Sequence, residues 1–566
     1  MGNPVVFIGP NNSGKTTALQ ALALWDIGVK RWNEKRSGKK TPEKRPGVTI
    51  NRRDLVNLPI PGANLLWRHL HVRDVQTVSG KPKTSNICVE IIVEGATGNK
   101  AWTCGLEFDY ANEESFYCRP LKLDQGDGGA RMPVPEEVSG VNIAFLTPMS
   151  GLAANEARLD LGAINVRIGE GRTADVLRNL CYRLIEQKEK PGLWEELVSH
   201  IDDLFGVQLD QPRYIPERGE IEMSYRERAQ DVRLDLSSAG RGLQQVLLLL
   251  AYIYANPKTI LLLDEPDAHL EILRQRQIYQ VVTQVSALQD CQVIAASHSE
   301  VLLNEAADRD VVVAFVGKPH RIDDRGSQVV KSLKEIGFEH YYQAEQTGWV
   351  LYVEGATDLA ILRAFAQHLN HPAAKHLERP FVHYVFNQPN AARNHFHGVQ
   401  VAKPDLVGFA LFDRIDQDLR EDLPLVMHKW SRREIENYLC QPETLLAYAS
   451  KSAYEVSAGP IFDDAEAQKR RSAIEESIKD NVTPSALRDG SDPWWLNTKV
   501  SDEFLDRVFQ AFYEKLNMPN LMRKTDYHRL AECVPVELID QEVRQVLDMI
   551  DDVATKAHPV TENDVE

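Results

Sequence analysis

Two short stretches of the sequence combine residue types that handle phosphate groups. The first runs from Gly9 to Thr16 ("GPNNSGKT"), after the apolar run "VVFI" and before a segment of helical character. Glycines let backbone N–H groups turn toward an anion, and the start of a helix adds its positive dipole end. The pattern therefore predicts a nucleotide-binding P-loop. Its predicted contact residues are Gly9, Asn11, Asn12, Ser13, Gly14, Lys15, Thr16 and Thr17.

The second stretch, "TILLLDEPDAHL", ends an apolar strand on Asp264 and Glu265. With the P-loop upstream, this order predicts a P-loop ATPase that uses ATP and Mg²⁺. Lys15 is expected to reach the β- and γ-phosphates, and Thr16 to place its hydroxyl on the magnesium ion. Asp264 would hold that ion through water, while Glu265 would orient and deprotonate the attacking water.

Two further motifs indicate which kind of P-loop ATPase this is. "LSSAGRGLQQ" (236–245) opens a helix shortly before the acidic strand end, and "ASHSE" (296–300) follows the next strand with His298 at its end. In this order the set resembles the ABC-type ATPases, in the branch shared by Rad50, SMC and OLD (overcoming lysogenization defect) proteins. The resemblance implies that His298 is a switch histidine. It also implies that Ser238, Gly240 and Gly242 of one subunit cap the ATP of another, in a homodimer or higher oligomer.

The resemblance covers residues 1–25 and 230–305 well, and the sequence between them poorly. The signature reads Ser-Ala-Gly instead of Ser-Gly-Gly, and the adenine contact is unassigned. Two candidates remain for the glutamine loop that normally senses the nucleotide: Gln76, or the segment 147–157.

A second set of carboxylates follows strands further along the chain. "VLYVEGATDLAIL" is an apolar strand that ends on Glu354 and leads into a helix carrying Asp358, and "GFALFDRIDQD" ends on Asp413. Ligands of open α/β sheets collect at the carboxyl ends of parallel strands. Converging carboxylate oxygens suit Mg²⁺ or Mn²⁺, and such ions can activate water for phosphodiester cleavage.

This second pattern resembles the TOPRIM domain of topoisomerases, primases and OLD-family nucleases. The resemblance implies an acid/base or metal-bridging role for Glu354 and a metal-binding role for Asp413. The partner expected two residues after Asp413 is replaced by Ile415, so either Asp416 substitutes or the second metal position is lost.

Downstream, "WSRREIENYL" (430–439) resembles a stretch of divergent TOPRIM proteins that accompany such ATPases in phage defence. Glu434 or Glu436 could supply the missing ligand. If the stretch is helical, the two side chains face different ways and only one enters the site; we favour Glu436.

These motifs require elements to position them. Apolar strands that alternate with helices predict an α/β fold with parallel sheets covered on both faces. "ICVEIIVEGATGNKAWTCGLEFDY" predicts a hairpin, and the last hundred residues predict helices. The predicted domains are an ABC-type ATPase at 1–318 with an insertion at about 55–230, a linker at 319–345, a TOPRIM-like domain at 346–450 and a helical region at 451–566.

Composition limits the function classes. The net charge of −17 argues against a protein coated in nucleic acid, although residues 30–53 carry ten Lys or Arg against two Glu. That stretch is either a solvated loop or a nucleic-acid contact. Seven scattered cysteines, the absence of a long apolar run and a P-loop near the N-terminus predict a cytoplasmic protein with reduced thiols and no signal peptide.

Histidines cluster in "NHFHG" (394–398). On a strand, His395 and His397 would share a face, where they could bind zinc or transfer a proton. A polar loop is the alternative.

Together these patterns predict an ATP-gated, Mg²⁺- or Mn²⁺-dependent nuclease of the OLD type in bacterial phage defence. DNA and RNA such as tRNA are both possible substrates, and a phage-encoded trigger or a companion defence protein is a possible partner. The alternative is a degenerate carboxylate site in an ATPase scaffold that senses a trigger or holds a separate effector. A Rad50-like structural ATPase is disfavoured because the sequence between the P-loop and the signature carries no long heptad repeat.

Overall fold

The computed structural model divides the chain into two compact units, one made largely of the residues up to Phe315 and the other of those from Ser327 onward. The structure describes residues 4–560 except 37–46, 52–53, 56–57, 59–61, 79–80, 99, 124–129, 150, 188–191, 229, 308, 323–330, 333, 335 and 455–459.

The first unit contains strands in several sheets. They are β1 (Val5–Ile8), β2 (Val48–Asn51), β3 (Arg73–Val78), β4 (Lys81–Asn86), β5 (Cys88–Thr97), β6 (Lys100–Asn112), β7 (Ser115–Pro120), β8 (Ile143–Leu146), β9 (Val207–Leu209), β10 (Arg213–Ile215), β11 (Glu220–Glu222), β12 (Ser224–Glu227), β13 (Gln230–Asp235), β14 (Ile260–Asp264), β15 (Gln292–Ser297), β16 (Val311–Ala314) and β17 (His320–Arg321). Its helices are α1 (Lys15–Arg36), α2 (Leu161–Gly169), α3 (Leu177–Glu186), α4 (Leu193–Phe205), α5 (Arg241–Ala255), α6 (Ile272–Leu288) and α7 (Glu300–Ala306).

The central sheet of the first unit has the strand order β17-β16-β1-β15-β14-β8. All its pairs are parallel except β16–β17. The apolar run of β14 is buried between α1 on one face and α5 and α6 on the other, as expected for a parallel sheet covered on both sides. The parallel α/β class predicted from the sequence is confirmed. The loops after β1, β8, β14 and β15 consequently meet at one edge of the sheet.

The remaining strands of the first unit form smaller antiparallel sheets. The strand order β2-β7-β6-β5 includes the predicted hairpin, in which Cys88–Thr97 pairs with Lys100–Asn112. Indole and phenyl rings from this sheet pack on α1, where Trp25 stacks on Trp102 at 5.9 Å between ring centroids. Strands β3 and β4 pair only with each other.

The second unit is built on a four-stranded parallel sheet with the order β19-β18-β20-β21. Alternate residues of the wholly buried β18 face opposite cores: Leu351 packs among the C-terminal helices, and Tyr352 packs against the helix that contains Phe396. The strands are β18 (Trp349–Val353), β19 (Val382–Tyr384), β20 (Val407–Phe412) and β21 (Leu425–Lys429).

Helices cover both faces of this sheet. They are α8 (Phe338–Thr347), α9 (Ala356–His368), α10 (Ala373–Glu378), α11 (Pro389–Ala402), α12 (Pro442–Tyr454), α13 (Pro460–Asn481), α14 (Pro484–Arg488), α15 (Pro493–Asn497), α16 (Asp506–Lys515), α17 (His528–Ala531) and α18 (Gln541–Thr555). The residues after 442 that the structure describes are mainly helical, and they build one core with α9, α10 and the sheet.

All seven cysteines are free thiols, and six of them are buried. Among the described residues, no helix is both long and apolar enough to span a lipid bilayer.

Candidate functional site

The predicted P-loop connects β1 to α1 and wraps the start of that helix. Gly14 has a φ of 95°, and a Cβ on Gly9 would lie 2.7 Å from the Phe315 carbonyl oxygen. Both positions therefore require glycine, one for its backbone conformation and one for the close approach of β16. Asn12 also adopts a left-handed conformation, with a φ of 65°.

Lys15 is buried at the first position of α1, and its ammonium group points into the loop. Nζ donates to the carbonyl oxygens of Gly9 at 2.7 Å and Pro10 at 2.6 Å. Burial lowers the pKa of Lys15, whereas the nearby carboxylates of Glu265 and Asp264 raise it. The amine is thus placed where the phosphates of a nucleotide would replace carbonyl oxygens as its partners.

Thr16 and Asp264 come together across the sheet from positions 248 residues apart. The Thr16 hydroxyl donates to both carboxylate oxygens of Asp264, at 3.0 and 3.1 Å. Burial is the main cause of the raised pKa of Asp264. A hydroxyl and a carboxylate in contact beside a P-loop fit an Mg²⁺ ion, and these two residues would hold it.

Glu265 and His298, which the sequence predicts to be catalytic, also meet at this edge. His298 Nδ1 lies 3.5 Å from Glu265 Oε1. Glu265 has a φ of 45°, and its N–H donates to the Ala296 carbonyl oxygen at 2.8 Å. A left-handed glutamate is a strained conformation of the kind found at functional sites. It turns the carboxylate toward the cleft that Asn11–Thr17 line.

The signature residues lie apart from that cleft. Ser238 and Gly240 are exposed at the start of the buried helix α5, and none of the three signature residues lines the P-loop cleft. A Cβ on Gly242 would lie 3.2 Å from the His269 carbonyl oxygen, so the helix start packs on the loop after Glu265. An exposed helix N-terminus with small residues is suited to bind an anion that reaches it from outside the subunit.

Two polar residues near the nucleotide edge were missed by the sequence reasoning. Buried Asp267 has a pKa raised by burial and lies close to His298 and Ser297. Gln245, at the second turn of α5, accepts from the Met149 N–H at 2.8 Å. This contact ties the segment 147–149 to the signature helix. Both residues lie directly beside a motif, Asp267 in "DEPDAHL" and Gln245 in "GRGLQQ", and this position could have marked them as candidates.

The second predicted site forms at the carboxyl edge of the parallel sheet in the second unit. Glu354 follows β18 and Asp413 follows β20, and Asn387 from the loop after β19 lies between them. Asn387 Nδ2 donates to Glu354 Oε2 at 2.6 Å and to Asp413 Oδ2 at 3.2 Å, and Asn387 Oδ1 accepts from the Asp413 N–H at 2.9 Å.

Asn387 was missed from the sequence because it belongs to no motif. The feature of the sequence that could have indicated it is its position in the short loop between strand β19 and Pro389, which begins helix α11. Asn387 has a φ of 56° and Phe386 a φ of 46°, so two successive non-glycine residues are left-handed. The strained turn aims the amide between the two carboxyl groups.

Asp358 lies in the first turn of α9 and caps that helix. Its Oδ2 accepts from the Glu354 N–H at 2.9 Å and the Gly355 N–H at 3.3 Å. Burial raises its pKa to about 6, and the charge of Glu354 adds to the effect. One oxygen of this predicted metal ligand is therefore already engaged by the backbone.

Glu434 precedes a 3-10 turn (Ile435–Tyr438), and Glu436 lies within it. The two residues are therefore not on one α-helix, which the argument from opposite helix faces had assumed. Glu434 precedes the turn, and its Oε1 accepts from the Ser501 N–H at 2.6 Å. Burial, followed by the charges of Glu434, Asp358 and Glu354, raises the pKa of Glu436 to about 8. Glu436 thus lies near enough to Asp358 and Glu354 to be affected by their charges, and Glu434, which also accepts a backbone N–H, is affected by the charge of Glu354 too.

Asp416 does not take part in this cluster. It is exposed, whereas Ile415 packs against the apolar core and its carbonyl oxygen accepts from Lys429 Nζ at 3.0 Å. The one-residue displacement turns the carboxylate of Asp416 toward solvent. Of the two alternatives drawn from the sequence, substitution by Asp416 or loss of the second metal position, the exposed position of Asp416 favours the loss.

In the group of Glu354, Asp358, Asp413 and Glu436, the first three carboxyl groups are partly buried and Glu436 is buried. Burial, together with a hydrogen bond to Glu354 and its charge, raises the pKa of Asp413 well above its usual range. Carboxyl groups that lie together without a metal ion must share a proton, because two carboxylates in contact repel each other. A shared proton is therefore what is expected at a site for a hard cation before the ion binds. Carboxylate oxygens are the ligand type that Mg²⁺ and Mn²⁺ prefer, and Glu354 and Asp413, which share the amide of Asn387, are the two that lie in direct reach of each other.

The stretch "NHFHG" is neither the polar loop nor the strand considered from the sequence but part of helix α11, so His395 and His397 point in different directions. His397 is exposed, and its Nε2 lies 3.0 Å from Asp422 Oδ2. His395 faces the interior of the unit, where it meets Tyr352.

Half of the basic stretch 30–53 lies outside the described residues. Its first residues end helix α1, where Lys30 pairs with Asp26 at 2.6 Å and Arg31 with Glu34 at 2.8 Å. These cations are therefore used within the chain. Lys39, Lys40, Lys44 and Arg45, which the sequence marks as candidate nucleic-acid contacts, lie outside the described residues.

Comparison with known proteins adds a domain model to this geometry. A family model described as "AAA domain, putative AbiEii toxin, Type IV TA system" matches residues 145–304, which include the signature, the acidic strand end and His298. No curated protein matches the sequence.

Solved structures of SMC heads also resemble the chain. An Smc head bound to the C-winged helix domain of ScpA is 12% identical, with a TM-score of 0.32 over 56% of this chain and 90% of that chain. An Smc head with an extended coiled coil bound to the C-terminal domain of ScpA, from Pyrococcus furiosus, is 14% identical, with a TM-score of 0.31 over 59% and 93%. The SMC head domain from Thermotoga maritima is 15% identical, with a TM-score of 0.27 over 55% and 85%.

The P-loop, the Thr16–Asp264 pair, the Glu265–His298 contact and the matched domain define the class of the first unit. It is a P-loop ATPase domain. ATP is its nucleotide, and Thr16 and Asp264 are the residues suited to its magnesium ion.

Proposed function

We propose that this chain is an ATP-gated, metal-dependent nuclease of the OLD type that acts in bacterial defence against phage. The observation that carries the proposal is the group of strand-end carboxylates Glu354 and Asp413, with Glu436 near them, in the same chain as a P-loop nucleotide site. The cluster lies where an open α/β sheet places its ligands. Its resemblance to a TOPRIM site supports phosphodiester cleavage as the chemistry.

In this proposal Glu354, Asp413 and Glu436 hold the catalytic Mg²⁺ or Mn²⁺. When bound, the ion would supply an activated water and stabilise negative charge on the scissile phosphate. Asn387 keeps the two strand-end carboxyl groups at a fixed separation, and Asp358 fixes the backbone of Glu354 by capping α9. Glu354 is the residue placed to move a proton during the reaction.

The ATPase domain would act as the switch. ATP bound at Lys15 would be capped by Ser238, Gly240 and Gly242 of a second subunit, because in the described part of one chain these residues lie outside the P-loop cleft. Nucleotide binding would favour one arrangement of the dimer, and hydrolysis through Glu265 and His298 would release it. DNA or an RNA such as tRNA would be the substrate, and a phage-encoded trigger or companion defence protein would start the reaction in the cytoplasm.

The test is a cleavage assay with purified protein on plasmid DNA and total tRNA, with Mg²⁺ or Mn²⁺. The isosteric variant Glu354→Gln is compared with Asp416→Asn, a matched control because Asp416 is an exposed carboxylate a few residues beyond the cluster. We expect the control to cleave like the wild type and Glu354→Gln to lose about 100-fold or more, the usual contribution of a general acid or base. Equal cleavage by both variants would refute the assignment.

One observation favours a second function. The exposed position of Asp416 and the packing of Ile415 leave the expected second metal position without its aspartate. If Glu436 does not replace it, the unit would be a sensor that holds a trigger or an effector while the ATPase domain serves as a scaffold. Glu436→Gln separates the two readings: it should abolish cleavage in a nuclease and leave trigger binding unchanged in a sensor.

A further inference from the structure

Three histidines from separate elements of the second unit converge on one point away from the carboxylate cluster. His340 lies on α8 (Phe338–Thr347), His383 on the edge strand β19 and His395 on α11 (Pro389–Ala402). One ring nitrogen from each lies within 4.8 Å of the others. All three side chains are partly buried, and Phe381 packs beside His340 and His395.

The rings form a stacked pair and a T-shaped pair. His383 stacks on His395 with ring centroids 3.9 Å apart and planes 9° from parallel. His395 Nε2 lies 2.8 Å from His340 Nδ1. Burial, with His383 and His340 beside it, lowers the pKa of His395 to about 3, and burial also lowers the pKa of His383.

Tyr352 completes the arrangement from the central strand β18. Its hydroxyl lies 2.8 Å from His395 Nδ1, and the tyrosine is fully buried. When Nδ1–H donates to the Tyr352 oxygen, the lone pair of His395 Nε2 points toward His340. Metal-binding histidines normally use their second nitrogen in this way, because the outer hydrogen bond fixes the tautomer and the ring orientation.

We propose that His340, His383 and His395 bind a transition-metal ion, with Zn²⁺ as the best fit and a water as the fourth ligand. Three imidazoles suit Zn²⁺, whereas the carboxylate cluster offers the oxygen ligands that Mg²⁺ and Mn²⁺ prefer. Zinc–nitrogen distances of about 2.0–2.1 Å in a tetrahedron separate nitrogens by roughly 3.3 Å. The contact between His395 and His340 therefore needs to open by about half an ångström, and His383 has to tilt out of its stack on His395, because lone pairs in parallel ring planes do not meet at one ion.

The ion would join the edge of the sheet to the two helices that cover it. Strand β19 has three residues and pairs with one neighbour, β18, so its ladder alone holds it weakly. The same strand leads into the left-handed turn that carries Asn387. A metal on His383 would fix that turn, and with it the amide that contacts Glu354 and Asp413.

The test measures metal binding by the full chain, purified without a polyhistidine tag and stripped with chelator. Zinc content is measured after dialysis, and Co²⁺ is titrated while the visible absorption of tetrahedral cobalt is followed. We expect one equivalent for the wild type and for His397→Gln, a matched control on the same helix whose histidine is exposed. His395→Gln and His383→Gln should lose the cobalt band, and Tyr352→Phe should weaken binding about 10- to 100-fold.

Two further samples keep the result interpretable. His340→Gln alters a ligand on another helix, and only variants whose circular dichroism melt in EDTA matches the wild type are compared. Asp413→Asn should keep the cobalt band, since its carboxylate belongs to the other site. A folded wild type that binds neither zinc nor cobalt would overturn the proposal. So would a band that survives in His395→Gln and disappears in Asp413→Asn.

Discussion

Replacing Asp413 with asparagine should change the stability of the second unit in opposite directions with and without a divalent ion. Asparagine keeps the shape of the side chain and the N–H bond to Asn387 Oδ1. Without metal, burial and Glu354 hold the pKa of Asp413 far above its value in an unfolded chain. The folded unit must therefore keep a proton at neutral pH that the unfolded chain releases, which costs stability. The amide removes this cost, so Asp413→Asn should melt at the same or a higher temperature in EDTA.

With Mn²⁺ present the order should reverse. Binding to the folded state alone at a free concentration of 100 times Kd adds about 2.7 kcal/mol. A change of 1 kcal/mol moves the Tm of a domain of 150–250 residues by about 2–4 °C, so the wild-type unit should gain roughly 5–10 °C. Asp413→Asn loses one of the charged ligands and should gain little.

The assay is differential scanning calorimetry in EDTA and in Mn²⁺, where the two units can melt separately. Asp416→Asn is the control, because it removes the same charge from an exposed position and should keep the full shift. An equal Mn²⁺ shift in Asp413→Asn and the wild type would refute the reasoning. A wild type without any shift at millimolar Mn²⁺ would refute it as well.

Three further predictions concern the first unit. Burial raises the pKa of Asp26 to about 6 despite its ion pair with Lys30. As pH rises from about 4 to 7, the wild type should therefore lose stability relative to Asp26→Asn, by up to about 3 kcal/mol in thermal melts. Glu156→Ala should cost about 3–5 kcal/mol in denaturant unfolding, because the buried backbone N–H groups of Arg178 and Asn179 lose their acceptor and the Arg178 guanidinium keeps only Asp235 as an ion-pair partner; Glu156→Gln should cost less. Lys15→Ala should abolish binding of a fluorescent ATP analogue while the melting temperature of the unit changes little.

The nucleotide site could be located almost completely from the sequence because its motifs encode local geometry. The glycines of the P-loop and the apolar strand before Asp264 determine where backbone groups point, and the parallel sheet then brings the loops together. Gln245 and Asp267 could not be assigned, because their roles depend on which loops meet across the sheet. The spacing of motifs carries no information on that.

The carboxylate site could be predicted only in part. Glu354 and Asp413 follow apolar strands, which is a local signal, but Asn387 reaches them from a turn that no motif marks. The helix at 389–402 could not be predicted from the sequence, because its histidines are flanked by small and polar residues, a pattern that also fits a strand or a polar loop. The partners of His395 come from other elements of the unit, so only the three-dimensional structure brings them together.

The central claim is that ATP controls a nuclease site in the same chain, and the most direct measurement is cleavage as a function of nucleotide state. Initial rates on the preferred nucleic acid would be compared in ATP, ADP and no nucleotide, for the wild type, Lys15→Ala and Glu265→Gln. The account predicts that nucleotide changes the wild-type rate, that Lys15→Ala is insensitive to it, and that Glu265→Gln stays in the ATP-bound response because hydrolysis is slowed about 100-fold or more. Cleavage that depends on Glu354 but is the same in all nucleotide states and all three proteins would contradict it.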